Sequence, residues 1–277
     1  MPNREDALEL EKTPASENLV LVELREGYRV LTLNRPNRLN SFNASMHAAL
    51  MSALVAAEAD KTCRALILTG AGRGFCAGED LSDEIYTSGA TLDLSITLDR
   101  LYNPLVRKLR DLPMPVICAV NGIAAGAGAN IAFGCDIVLA GRSAKFIQAF
   151  AKLGLVPDSG GTWFLPRLAG SARARAMALL AEPVLAEQAE AWGMIWKAVD
   201  DTELMNEAHR LAAHFSSQPT GGLALIKRAL DASQTNTLDQ QLDLERDLQG
   251  QAGRTADFKE GVTAFAEKRP PRFVGRQ

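Results

Sequence analysis

"PVICAVNGIAAGAGANIAFGCDIVLA", residues 115–140, carries the strongest architectural signal in the chain. Its ends, "PVICAVNG" (115–122) and "CDIVLA" (135–140), are short apolar runs of strand composition, and a Gly/Ala run lies between them. Strand, helix and strand in succession argue for parallel strands covered by helices.

The flanking sequence repeats the pattern. On the N-terminal side, "LVLVELREGYRVLTLN" (19–34) gives two β-rich runs joined by "REGY", a hairpin. The turn-rich loop "NRPNRLNSFN" follows, and Asn43 is placed to cap a helix whose apolar positions Met46, Leu50, Ala53, Leu54 and Ala57 recur at three and four residues. "RALILTG" (64–70) reads as a buried strand and residues 92–110 as one helix. Beyond about residue 170 the β signal nearly vanishes, apart from a short "WKAVD" strand, and helical composition takes over. The expected organisation is α/β: a flexible extension over 1–17, a ββα core with the active site over 18–200, and a helical region over 201–277. Helices with apolar faces and little sheet to lie on suggest an oligomer.

Composition excludes several classes of function. The 277 residues are 47% hydrophobic, and 30 basic side chains nearly balance 33 acidic ones, for a net charge of -3. No basic surface for nucleic acid follows. Cys63, Cys76, Cys118 and Cys135 lie in apolar segments without CxxC spacing and read as buried thiols rather than metal ligands. No apolar run reaches the length of a membrane span, and the first 20 residues carry four Glu and one Asp against two basic residues, so a cytoplasmic protein is expected.

Two glycine-rich loops each follow a strand: "LTGAGRGFCAGEDL" (68–81) and "AVNGIAAGAGANIA" (119–132). Neither matches a dinucleotide fingerprint, and no GxxxxGK[ST] is present. Such loops leave backbone N–H groups at a helix start without side-chain cover. Two of them converging make an oxyanion hole; alternatively the glycines serve only turns and close packing. His47, His209 and His214 show no HExxH spacing, and there is no GxSxG elbow. Any catalysis falls to carboxylates and backbone donors. In "LGLVPDSGGTWFLPRLAG" (153–170), Asp158 is either a helix cap in a turn or an acid of raised pKa among Leu155, Val156, Trp163 and Phe164.

Taken together, "NRPNRLNSFN", "LILTGAGRGFCAGEDL", the 115–140 stretch and "FAKLGLVPDSGGTWFLPRLAG" resemble the crotonase (enoyl-CoA hydratase/isomerase) superfamily over about residues 18–270. The resemblance implies a crotonase fold, a spiral of ββα repeats with a C-terminal region that builds trimers or hexamers. It also implies acyl-CoA thioester substrates, with coenzyme A as part of the substrate and no separate cofactor, metal, nucleic acid or membrane. By resemblance, the backbone N–H groups of Glu79 and Ala127 form the oxyanion hole, and Arg35, Arg38, Leu39 and Ala77 lie along the CoA. Asn130 and Phe150 occupy the places of the two hydratase glutamates and, with Trp163, would line the substrate pocket. Asp158 matches the acid of the family's isomerases and, as a nucleophile, of its aryl-CoA dehalogenases. Further stretches such as "YNPLVRKLRDLPMPVICAVNG" and "NTLDQQLDLERD" carry the resemblance toward members that isomerise a ring-epoxide acyl-CoA. The expectation is therefore an isomerase with Asp158 as proton shuttle, against a general enoyl-CoA isomerase or a non-catalytic scaffold.

Overall fold

The computed structural model describes residues 18–82, Tyr86 and 92–275. The extension expected over 1–17 lies outside the described residues. Among the described residues the strands form two sheets. The first has the order β1 (Val20–Arg25), β2 (Tyr28–Leu33), β3 (Ala65–Gly70), β5 (Val116–Val120), β7 (Ile137–Gly141) and β10 (Lys197–Val199). Shorter strands β4 (Gly74–Cys76), β6 (Ile123–Ala125), β8 (Lys145–Ile147) and β9 (Val184–Leu185) form the second. The hairpin pairs β1 with β2 antiparallel, and from β2 to β10 every pairing in the first sheet is parallel. The chain thus passes through a long strand, a short strand and a helix, then begins again one step further along both sheets.

The first helix, α1 (Ala44–Ala59), follows the expected pattern. Asn43 caps it by accepting the Met46 N–H at 2.9 Å, and Met46, Leu50, Ala53, Leu54 and Ala57 are its buried apolar residues. His47 joins that buried face. All four cysteines are buried. The long segment expected as one helix is instead three pieces: α2 (Leu94–Thr97), a π turn (Leu98–Tyr102) and α3 (Asn103–Asp111). Pro104 brings no N–H to the helical ladder, and the Asn103 N–H reaches back five residues to the Leu98 carbonyl, so the register widens there.

Both faces of the large sheet are covered. On one side lies the main core with α1, α3 and α4 (Ala127–Phe133). On the other, α8 (Leu204–Ser216) sets Leu204, Ala208 and Ala212 against Ala65, Ile67, Ile117, Ala119 and Leu139. Small residues on α8 let it approach the sheet closely, and β3 and β5 are buried along their whole length and are apolar apart from Thr69, whose hydroxyl donates to the Ala119 carbonyl. Between α4 and α8 the chain forms α5 (Gly161–Ala169), α6 (Ser171–Leu180) and α7 (Ala186–Ala191), and after α8 it forms α9 (Thr220–Ser233), α10 (Leu238–Ala252) and α11 (Ala256–Glu267). The buried Asp257 carboxylate accepts the N–H groups of Val274 and Gly275 at 2.7 and 3.0 Å and ties the tail to α11. Among the described residues no helix is long and apolar enough to cross a membrane.

Candidate active site

The two glycine-rich loops meet at a cavity of about 260 Å³. The first leaves β4 and runs beside Phe42, where a single parallel bridge pairs Phe42 with Glu79. That bridge uses the Gly78 carbonyl and the Asp80 N–H, at 2.7 and 2.8 Å. In a parallel pairing the N–H of the intervening residue points the other way, so the Glu79 peptide is turned from Phe42. The second loop turns at Gly126, whose φ of 54° and ψ of -128° suit glycine, and it enters α4 at Ala127. As the first residue of a helix, Ala127 has no intrahelical carbonyl for its N–H. The loops touch: a Cβ on Gly78 would stand 3.4 Å from the Ala127 nitrogen. Glu79 and Ala127 both line the cavity, as does Ala77.

Asp158 faces the same cavity from the loop before α5. Its carboxylate accepts the Ser159 hydroxyl at 2.9 Å. The capping alternative does not form, because the N-cap of α5 is Gly160, with no side-chain cap. Burial pushes the Asp158 carboxyl up to about 6, the Ser159 hydroxyl opposes the rise, and the nearby Glu79 charge adds to it. Phe150, Leu155 and Val156 supply apolar surface around it.

Several expected site residues lie elsewhere. Asn130 does not line the cavity; it is fully buried behind it, where its Nδ2 donates to the Asp158 carbonyl at 2.8 Å and its Oδ1 accepts from Gln148 Nε2 at 2.8 Å. This approach needs a glycine at 161, since a Cβ there would stand 2.3 Å from the Asn130 amide nitrogen. Trp163 points away from the cavity, packs edge-on against Phe164, and carries the Arg167 guanidinium 4.2 Å above its ring. On α5, residue 163 lies on the side facing α3, where it borders a separate groove with Arg107 and Arg110. Phe164 lines that groove as well, so neither aromatic walls the cavity.

Arg35 also turns inward. Its guanidinium donates to the Ser41 carbonyl at 2.6 Å and to the Asp80 carboxylate at 2.8 Å, which commits it to bracing the loop rather than reaching a phosphate. Arg38 is exposed at the end of a short 3₁₀ turn (Pro36–Arg38). Leu39 follows with a φ of 48°, and its carbonyl accepts the Ala77 N–H at 2.9 Å, so the arginine loop and the first glycine loop are bonded together. His47 is buried, and the His209 ring meets the Tyr28 hydroxyl at 3.0 Å.

Sequence reasoning missed the polar half of the cavity. The Glu79 carboxylate accepts the Tyr86 hydroxyl at 2.9 Å and the Tyr102 hydroxyl at 2.5 Å, and all three residues line the cavity. No local signal pairs residues 79 and 102, because the π turn sets the direction of Tyr102.

Residues 23–276 match the family described as enoyl-CoA hydratase/isomerase. The chain belongs to that family. Within the enoyl-CoA hydratase/isomerase family it is 59% identical over 258 residues to the 1,2-epoxyphenylacetyl-CoA isomerase of Escherichia coli K12, covering 93% of this chain and 98% of that one. It is 47% identical to a Rhodobacter capsulatus protein named "Probable enoyl-CoA hydratase", over 94% of this chain and all of that one. Among solved structures, the enoyl-CoA hydratase of Bacillus anthracis superposes with a TM-score of 0.87 at 29% identity, covering 93% of this chain and 100% of that one. At positions 130 and 150, which the resemblance matches to the hydratase glutamates, stand an amide turned backward and a phenyl ring, and the described acids that line the cavity are Asp158 and Glu79. Among the described residues no group of three His, Cys, Asp or Glu side chains is placed to hold a metal.

Proposed function

We propose that the chain isomerises 2-(1,2-epoxy-1,2-dihydrophenyl)acetyl-CoA to its oxepin-CoA isomer. The observation that carries this reading is the placement of Asp158 in one cavity with Glu79 and Ala127, and the resemblance, which puts Asn130 and Phe150 at the places of the hydratase glutamates, supports it. The 59% identity to a relative named for this reaction supports the choice of substrate.

The carboxylate removes a proton from the carbon between the thioester and the ring. That C–H bond breaks, an O–H bond forms on Asp158, and the electron pair spreads onto the thioester oxygen. The Glu79 and Ala127 N–H groups receive this developing charge; losing one such donor typically costs ~3–4 kcal/mol. The epoxide's ring C–C bond opens to the seven-membered ring. Asp158 then returns its proton to the adjacent ring carbon, its O–H bond breaking as a C–H bond forms. Nothing is gained or lost, so one acid of raised pKa suffices. Phe150 offers an apolar wall to the ring, and exposed Arg38 with Leu39 and Ala77 marks the CoA path. Coenzyme A enters as part of the substrate.

The same reading includes self-assembly. Leu230, Leu238 and Phe265 on the last three helices are 62%, 73% and 88% exposed, a poor arrangement for a monomer.

The test is Asp158→Asn assayed with the ring epoxide and with a 3-enoyl-CoA. Turnover should fall by ~100-fold or more while CoA-thioester binding persists. Near-wild-type turnover would remove Asp158 from the chemistry, and better turnover of the aliphatic substrate by the wild type would make it a general enoyl-CoA isomerase.

A further inference from the structure

The cavity holds a second carboxylate that the one-acid mechanism does not use. Glu79 reaches into it from the oxyanion loop, opposite a loop whose described residues bring only Asp158 as a charged group. Its backbone is pinned by the Phe42 bridge, so the side chain leaves a fixed point. Its two oxygens accept from different phenols, Oε1 from Tyr86 and Oε2 from Tyr102. Two O–H donors on one carboxyl suit its ionised, acceptor-only form. The Tyr102 donor is itself rigid: the residue is 2% exposed, its ring meets the His47 ring edge-on at 4.3 Å, and it stands 6.0 Å from Phe42. A π turn, a device often found at functional sites, aims it. Tyrosines held for packing alone need not direct both hydroxyls at one carboxylate inside a substrate-sized cavity.

We propose that the Glu79 carboxylate, held by Tyr102 and Tyr86, is a positioning residue for the reaction: a fixed anion that strengthens Asp158 as a base and keeps the abstracted proton on it until the ring carbon receives it. This rests on Asp158 being the proton shuttle. Among the described residues the titratable groups facing Asp158 and Glu79 are the two tyrosines, with Cys76 and His47 packed behind them; burial pushes the Cys76 thiol up to about 12 and His47 down to about 4, so neither changes charge near neutral pH. Among the described cavity-lining residues no Lys, Arg or His offsets the charge that Asp158 acquires. The Asp158 and Tyr102 groups are both shifted upward by the charge on Glu79, in addition to burial, which agrees with one shared field.

The experiment is the pH dependence of kcat/KM for Glu79→Gln, Glu79→Asp and Tyr102→Phe with a 3-enoyl-CoA, each variant checked by circular dichroism. Glu79→Gln keeps one oxygen acceptor for the tyrosines, turns the other into an N–H donor that a tyrosine hydroxyl can accept, and removes the charge, so the acidic limb should move down by about one pH unit and the rate should fall about tenfold. Glu79→Asp should hold the limb near its wild-type position. Tyr102→Phe leaves the charge in place and should leave the limb or raise it. An unchanged limb in Glu79→Gln overturns the proposal, and so does a lowered limb in Tyr102→Phe, which remains informative if Glu79→Gln does not fold. Retained turnover in Asp158→Asn would instead refute the shuttle itself.

Discussion

The Asn130 side-chain amide hydrogen-bonds the Asp158 backbone carbonyl across 2.8 Å, although 28 residues separate them. With Gln148 fixing the other end of that amide at 2.8 Å, a buried polar chain holds the loop that aims the acid. Replacing Asn130 with Leu removes the donor and leaves the Gln148 amide unpaired. The expected result is a 10- to 100-fold loss of kcat with KM changed little, since binding surfaces stay while the shuttle drifts. Steady-state kinetics with a 3-enoyl-CoA decides it; equal losses in KM would show a binding role instead.

The raised Asp158 carboxyl, at about 6 against its ordinary 3.8, links catalysis and stability in opposite senses. As a base it acts only when ionised, so turnover should decline below about pH 6. For folding, the ionised form is the disfavoured one in the native state. The stabilisation from the native pKa being high is fully present below 3.8 and is lost as pH rises through about 6. Asp158→Asn should therefore unfold at higher temperature than the wild type at pH 7.5, by about 1–2 kcal/mol after allowing for solvent screening, and match it near pH 4. Calorimetry at both pH values would show an equal difference if the carboxylate carried no strain.

Arg35 distinguishes a brace from a ligand. Its side chain is 15% exposed and its partner Asp80 is 7% exposed, so Arg35→Leu strands a nearly buried carboxylate. A stability loss of about 3 kcal/mol is expected, with the KM for CoA thioesters little changed in the fraction that folds. Denaturant unfolding and KM measured on the same preparation separate the two roles; an intact fold with a greatly raised KM would restore the phosphate-binding role.

His47 imposes acid sensitivity. It is 3% exposed, neither ring nitrogen meets a hydrogen-bond partner among the described residues, and burial lowers it to about 4 from 6.5. The unfolded chain takes up a proton between those values and the native one resists, so stability falls as pH drops from 6.5 toward 4. His47→Phe should remove about 3 kcal/mol of that loss relative to wild type. Melting curves at pH 7 and pH 4.5 test it, and parallel losses in both proteins would exonerate the histidine.

Trp163 supplies the negative control. Because its ring is engaged by Arg167 and Phe164 outside the cavity, Trp163→Phe should leave kcat/KM within about twofold. A larger fall in kcat/KM would bring the ring back to the substrate.

What the chain order alone carried was everything local. The hairpin, the Asn43 cap and the buried stripe of α1 rest on contacts within a few residues, and the apolar runs at 64–70 and 115–120 mark strands whose partners lie far along the chain. The ordered motifs pointed to the family and to Asp158 as the acid. The direction of each polar side chain was another matter. Arg35 turns to an aspartate 45 residues away, Glu79 to a tyrosine 23 residues away, and Asn130 backward to a carbonyl, while Trp163 faces outward beside Asp158's own loop. Those orientations follow from which loops the two sheets bring side by side, and from the π turn that a proline imposes on a helix whose composition showed no break. A buried polar group goes where a partner is, and only the folded chain places the partner.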